Sequence, residues 1–173
     1  MLFLSTELYD KSLLSVRTSS VIGTVNKPII NPSNLHIDGF YCTDIRSNEL
    51  ILLDQSIREF SLKGIIINDP SDLSEESDLV RLSSVLKLRF ELIGKNVVSS
   101  GKKIGKVIDF STDKDSLFIQ KLYVKPTLLT SFSSPQKIID RSMILEINDK
   151  QVVVKGPEEK SLIRKNNSAL ATD

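Results

Sequence analysis

Leu92-Ile93-Gly94-Lys95-Asn96-Val97-Val98-Ser99-Ser100-Gly101-Lys102-Lys103-Ile104-Gly105-Lys106-Val107-Ile108-Asp109 is the stretch whose reading decides the fold. Leu92 to Val98 has the composition of a first strand, and Ser99 to Lys102 that of a turn in which Gly101 can take positive φ without a Cβ clash. From Ile104 to Phe110 the chain reads as a second strand, with Ile104, Ile108 and Phe110 on one side and Val107 on the other. Gly105 lies inside that strand, where glycine marks a bulge or the tight bend that curls a small barrel.

The pattern continues downstream. Ser111 to Ser116 is a polar turn, and Leu117 to Lys125 is a long strand stopped by Pro126. Lys137 to Ile139, Met143 to Ile147 and Gln151 to Val154 follow, the last two joined by the turn Asn148-Asp149-Lys150. Six short strands with turn signals about every ten residues predict a small barrel or sandwich.

The same plan occurs earlier in the chain. Val16, Ile22, Gly23 and Val25 return as Val98, Ile104, Gly105 and Val107, 82 residues later. Leu53-Asp54-Gln55-Ser56-Ile57 returns as Ile139-Asp140-Arg141-Ser142-Met143, 86 residues later. Two offsets so close are those of one duplicated unit with loops of unequal length. The first copy's strands are expected at Ile22–Val25, Leu35–Cys42, Leu50–Leu53, Ile57–Phe60 and Ile65–Ile67, with Pro28 ending the second strand or placing it at an edge. Between the copies, Asp72 with Glu75 has capping-box spacing, and Leu79, Leu82, Val85 and Leu86 recur at helical spacing. The expected plan is therefore a first barrel over 1–71, a connecting helix over 72–90, a second barrel over 91–157 and a disordered polar tail over 158–173.

Residues 91–155 resemble the PRC-barrel family, through the "LIGK-x-V-V" strand, the glycine turn, the "hIGKVxD" strand and the later Leu117–Val124, Ile139-Asp140 and Val152–Val154 segments. The first copy shares Ile22-Gly23-x-Val25 but lacks the leading "LIGK" and has Lys27 where the motif closes on Asp. PRC-barrels are known from the H subunit of photosynthetic reaction centres, from the C-terminal half of the ribosome-maturation factor RimM and from stand-alone proteins. The resemblance implies an all-β fold of two PRC-like barrels in tandem and a non-catalytic docking or adaptor role. RimM suggests a ribosome-assembly or RNA-associated factor as the alternative, and the reaction centre suggests an accessory subunit of a membrane-bound complex. The glycine signature of RimM's N-terminal half is absent from residues 1–80, so a tandem PRC-barrel protein fits better.

Composition narrows the chemistry. Cys42 is the single cysteine, which excludes an internal disulfide and suits a reducing, cytoplasmic setting. No apolar run approaches the roughly 20 residues of a membrane-spanning helix, and the apolar Met1–Leu4 lacks the basic flank of a signal peptide. His36 is the single histidine, so neither a soft-ligand zinc site nor a Cys–His dyad is expected. Gly101-x-x-x-Gly105-Lys106 is one residue short of a phosphate loop and runs into a strand rather than a helix. The expectation is no enzyme, no cofactor, no metal and no small-molecule ligand.

What remains is surface and turn chemistry. Net charge is +1 overall, but residues 1–71 carry −2 and residues 91–157 carry +4. Two copies with one apolar frame and different surfaces can meet different neighbours. Lys102, Lys103 and Lys106, around the Gly101 turn, are the candidate partner-binding residues, facing a protein or, in the alternative, RNA phosphate. Gly23, Gly94, Gly101 and Gly105 are expected to be structural. Asp54 and Asp140 are too, as turn residues that bond backbone N–H groups together with Ser56 and Ser142.

Overall fold

A computed structural model of the chain describes residues 1–127 and 136–156; the expected tail over 158–173 lies outside the described residues. Over the described residues the chain is mainly β, with two curled half-barrel sheets and one short α-helix. The strands are β1 (Leu2–Leu4), β2 (Lys11–Ser15), β3 (Ser20–Asn31), β4 (His36–Asp44), β5 (Glu49–Leu53), β6 (Ile57–Ser61), β7 (Gly64–Ile67) and β8 (Leu73–Ser74). The helix α1 (Ser83–Leu88) follows, and then β9 (Asn96–Ser99), β10 (Lys102–Asp113), β11 (Ile119–Pro126), β12 (Lys137–Asp140), β13 (Ile144–Ile147) and β14 (Gln151–Val154).

The chain divides into two compact units, one of residues 1–92 with 109–120 and one of residues 93–108 with 121–173. In the first unit the strand order is β6-β7-β2-β3-β4-β5-β8, and β1 pairs with Ser111–Asp113 at the end of β10. Its core gathers Leu13, Val25, Ile37, Phe40, Leu52, Ile65 and Ile67, all buried. In the second unit the order is β12-β11-β10-β9-β14-β13, around buried Val97, Val107, Leu122, Val124, Val152 and Val154.

The repeat holds to the level of single hydrogen-bonded pairs. β2 runs parallel to β7 with Leu13 opposite Ile65, and β9 runs parallel to β14 with Val97 opposite Val152. In the β2–β3 hairpin the register slips so that Ile22 is the extra residue; in the β9–β10 hairpin Ile104 is. Beside each bulge sits a glycine that the neighbouring strand crowds. A Cβ on Gly23 would overlap the carbonyl oxygen of Thr43, and one on Gly105 that of Lys125, 82 residues on.

Aligning the two sheets strand by strand corrects the sequence alignment in two places. Leu14, not Val16, is the counterpart of Val98: Leu14 lies opposite Val21 as Val98 lies opposite Lys103, while Val16 is an exposed turn residue. The first copy also has its own leading strand motif. Leu8-Tyr9-Asp10-Lys11 matches Leu92-Ile93-Gly94-Lys95 at an offset of 84; both leucines are buried, and Asp10 (φ 52°) and Gly94 (φ 87°) share a left-handed backbone.

The segment between the copies is less helical than its spacing suggests. Asp69, not Asp72, is the cap: its carboxylate accepts from Ser71 N at 2.8 Å, and Asp72 Oδ2 accepts from Asp69 N at 2.9 Å. This box closes a single 3-10 turn begun by Pro70, after which Leu73 and Ser74 pair with Leu52 and Ile51 of β5. Only Ser83–Leu88 is α-helical. Leu79, Leu82 and Val85 pack against buried Ile29, Ile51 and Leu86, so their spacing records burial against β3 and β5 rather than one long helix. Pro28 does not end β3. It lies opposite Phe40, beyond the point where β2 stops pairing, so the N–H that proline lacks has no strand waiting for it.

Candidate functional site

The β9–β10 hairpin presents the basic surface of the second unit. Its loop has two residues, Ser100 (φ 48°) and Gly101 (φ 75°), both with the positive φ that a type I′ turn requires. Nothing lies within 4 Å of a Cβ built on Gly101 or on Gly94, so their backbone conformation rather than space calls for glycine. Lys102 and Lys103 open β10, the bulge at Ile104 resets its alternation, and Lys106 follows; all three lysines are exposed.

These lysines border two grooves of the second unit. One, of about 510 Å³, has Ile104, Ile138 and Met143 in its wall and Lys102, Lys137 and Lys155 at its rim. The other, of about 470 Å³, is floored by Ile93, Val107, Ile108 and Pro126, with Lys103, Lys106 and Lys125 around it. Among the described residues none of these six lysines forms an ion pair. Unpaired like charges over an apolar floor repel one another and favour an acidic, partly apolar occupant.

Of the other lysines in the basic half, Lys114 belongs to the first unit, where it lies 5.8 Å from the Phe3 ring centroid, and it lines neither groove. Sequence reasoning overlooked Ile138. Its counterpart is Ile51, because each faces the equivalent tyrosine, Tyr41 or Tyr123, across the ladder. Ile51 is 2 % exposed and Ile138 is 58 % exposed. That contrast emerges only once the registers are known.

The two turn aspartates act differently. Asp140 caps its 3-10 turn, accepting from Ser142 N at 3.1 Å and Ser142 Oγ at 2.9 Å. Asp54 is one place further into its own turn and makes no such cap; its Oδ2 lies 3.8 Å from His36 Nε2. The other ring nitrogen of His36 is 2.7 Å from Asp38 Oδ1, and Asp38 also accepts from Asn31 Nδ2 at 3.0 Å. This is one histidine held between carboxylates, and among the described residues no hydroxyl or thiol is bonded to it. Cys42 is buried, and burial pushes its thiol up to about 12, so it is not a nucleophile at neutral pH.

Among the described residues no group of three or more His, Cys, Asp and Glu could hold a metal ion, and no helix is long and apolar enough to cross a membrane. No family model matches the chain, and no curated protein matches it.

Proposed function

We propose that this chain is a non-catalytic interaction protein of the PRC-barrel type, working in the cytoplasm as an adaptor for an acidic protein partner. The observation that carries the reading is the pair of lysine-rimmed, apolar-floored grooves of the second unit. Support for the family comes from the same strand order in both repeats, with a parallel pair one strand in from the β6 or β13 end and a crowded glycine beside the same bulge. Buried, reduced Cys42 suits the compartment.

The test is the triple reversal Lys102→Glu, Lys103→Glu and Lys106→Glu. Because all three are exposed and unpaired, each should shift stability by less than about 0.5 kcal/mol. Affinity capture by the full-length protein, compared between about 50 and 300 mM salt, should lose its salt-sensitive partners in the variant while the melting temperature holds. Intact capture would remove the basic surface from the mechanism.

A second reading, association with ribosomal RNA, draws on the net charge of +4 over residues 91–157. Arg141 is the single arginine of that stretch, where RNA sites favour guanidinium for stacking and bidentate phosphate contacts. Capture abolished by nuclease would favour it.

A further inference from the structure

The two repeats differ at one sheet edge. In the first, β5 is not the end of the sheet: β8 adds to it, pairing Leu73 with Leu52 and Ser74 with Ile51. Beyond that strand the chain returns, and Leu86 with Leu79, Leu82 and Val85 packs on Ile51, which is 2 % exposed. In the second, the corresponding strand β12 ends the sheet, pairing only with β11 among the described residues. Among the described residues no strand pairs with its other edge, and Ile138, the residue matching Ile51, is 58 % exposed.

We propose that β12 is a docking edge that receives an extended, acidic and apolar segment of a protein partner by strand addition, as β8 adds to β5. The proposal rests on the interaction-protein reading and specifies its geometry. Strand addition supplies affinity through main-chain hydrogen bonds, and alternate side chains then select the partner. Here β8 on β5 is an internal template for the pairing. The selecting surface is the groove beside β12, where Ile138 and Met143 meet apolar side chains and Lys102, Lys137 and Lys155 meet carboxylates. An open edge with an exposed isoleucine is an aggregation hazard unless something covers it.

The chain's own end is the competing occupant. Gly156-Pro157-Glu158-Glu159-Lys160-Ser161 aligns with Asp69-Pro70-Ser71-Asp72-Leu73-Ser74 at an offset of 87, the offset that relates β7 to β14. Lys160 stands where β8 has Leu73, so the copy lacks the leucine that pairs with Leu52, and Lys160 offsets one of Glu158 and Glu159 to leave 156–161 at a net −1. An acidic partner strand without such a cation complements the lysine rim better than this segment does.

The experiment uses the full-length protein and a ten-residue peptide of alternating Asp and Leu, with a copy N-methylated at every second amide and a copy carrying Lys for Asp. Binding is followed by titration, and backbone amides by hydrogen exchange. The expected result is new protection at Lys137–Asp140 with the first peptide and loss of binding with the other two. Ile138→Glu should weaken the first peptide about tenfold or more, since an apolar contact is exchanged for a repelling carboxylate. Protection confined to the Lys103–Lys106 groove, with Ile138→Glu without effect, would overturn strand addition yet leave the interaction-protein reading standing. If no peptide bound and the triple lysine reversal also left capture intact, both would fail. Edge amides already protected without peptide, and released by Leu162→Glu with Ile163→Glu, would make the chain's own end the occupant. Protection that rose with protein concentration alone would make it a second copy. Either outcome overturns the proposal.

Discussion

His36 and Phe118 occupy the same position in the two repeats and pair with each other. They form an antiparallel bridge, flanked by Ile37 N donating to Leu117 O at 3.0 Å and Ile119 N donating to Leu35 O at 2.9 Å. Leu35 (φ 56°) and Leu117 (φ 53°) both hold a left-handed backbone there, and both are buried. Residue i meets the equivalent of i, as in an isologous contact, although one chain supplies both sides. Leucine is poorly suited to that conformation, so the burial and the reciprocal bonds hold the two turns against local strain.

The ring contact adds to this bridge. The rings meet edge-on with centroids 4.7 Å apart. A double-mutant cycle of His36→Ala and Phe118→Ala in urea denaturation should return a coupling of about 0.5–1.5 kcal/mol. A coupling near zero would make the backbone pairs the whole of the contact.

The bulge glycines should be far less tolerant than the turn glycine. Gly23→Ala or Gly105→Ala forces a methyl into a neighbouring carbonyl oxygen, and overpacking of this kind costs about 1–3 kcal/mol or more. Gly101→Ala meets no atom and pays only for its positive φ, about 1–2 kcal/mol. Gly101→Asn should recover part of that loss, whereas Asn at position 23 or 105 should be worse than Ala, as chemical denaturation would show.

Cys42 should be silent to thiol reagents in the folded state. Burial raises its pKa to about 12, outweighing the backbone hydrogen bond from Leu52. At pH 8 a disulfide-exchange reagent should label it only at the rate of unfolding. The same shift has a stability consequence with a definite sign. The thiol's contribution is complete below its ordinary value of 9.0 and is lost as pH rises from there toward 12, where only the unfolded chain ionises.

Asp113 governs part of the acid limb. It accepts from Ser116 N at 2.9 Å and Ser116 Oγ at 2.9 Å, with the Met1 ammonium at 3.4 Å, and these hold its carboxyl at about 2. Its contribution is present above the ordinary value of 3.8 and is lost as pH falls toward 2. Asp113→Asn should lower the melting temperature at pH 6 and flatten its fall between pH 4 and 2. An unchanged acid limb would assign that fall to other carboxylates, such as Asp44 and Asp69, which their own hydrogen bonds also hold low.

The duplication was legible because Ile22-Gly23-x-Val25 must be kept wherever a bulge and a crowding strand coincide. The matching Leu8-Tyr9-Asp10-Lys11 was not, for a geometric reason. Four residues, Val16–Ser19, separate β2 from β3, whereas Ser100-Gly101 alone separate β9 from β10, so the two motifs fall at different offsets. The resemblance of Asp54-x-Ser56 to Asp140-x-Ser142 misled in the opposite direction: like letters stand one place apart in the two 3-10 turns. Lysines around a glycine turn announce an exposed basic surface from composition alone. The exposed edge at Ile138 does not, because in the first repeat the cover on the matching Ile51 comes from the segment after the barrel strands, and among the described residues nothing equivalent covers Ile138.

The boundary between the compact units has a consequence for synthesis on the ribosome. The first unit needs residues 109–120, yet Ile93–Ile108, which precede them in translation, belong to the second. When residue 92 leaves the exit tunnel, Leu2–Leu4 still lack their partner Ser111–Asp113, and Ile37 N still lacks Leu117 O. The nascent first half therefore waits, incomplete, through the next 28 residues, and no scissile point between positions 92 and 121 would release either half as an intact fragment.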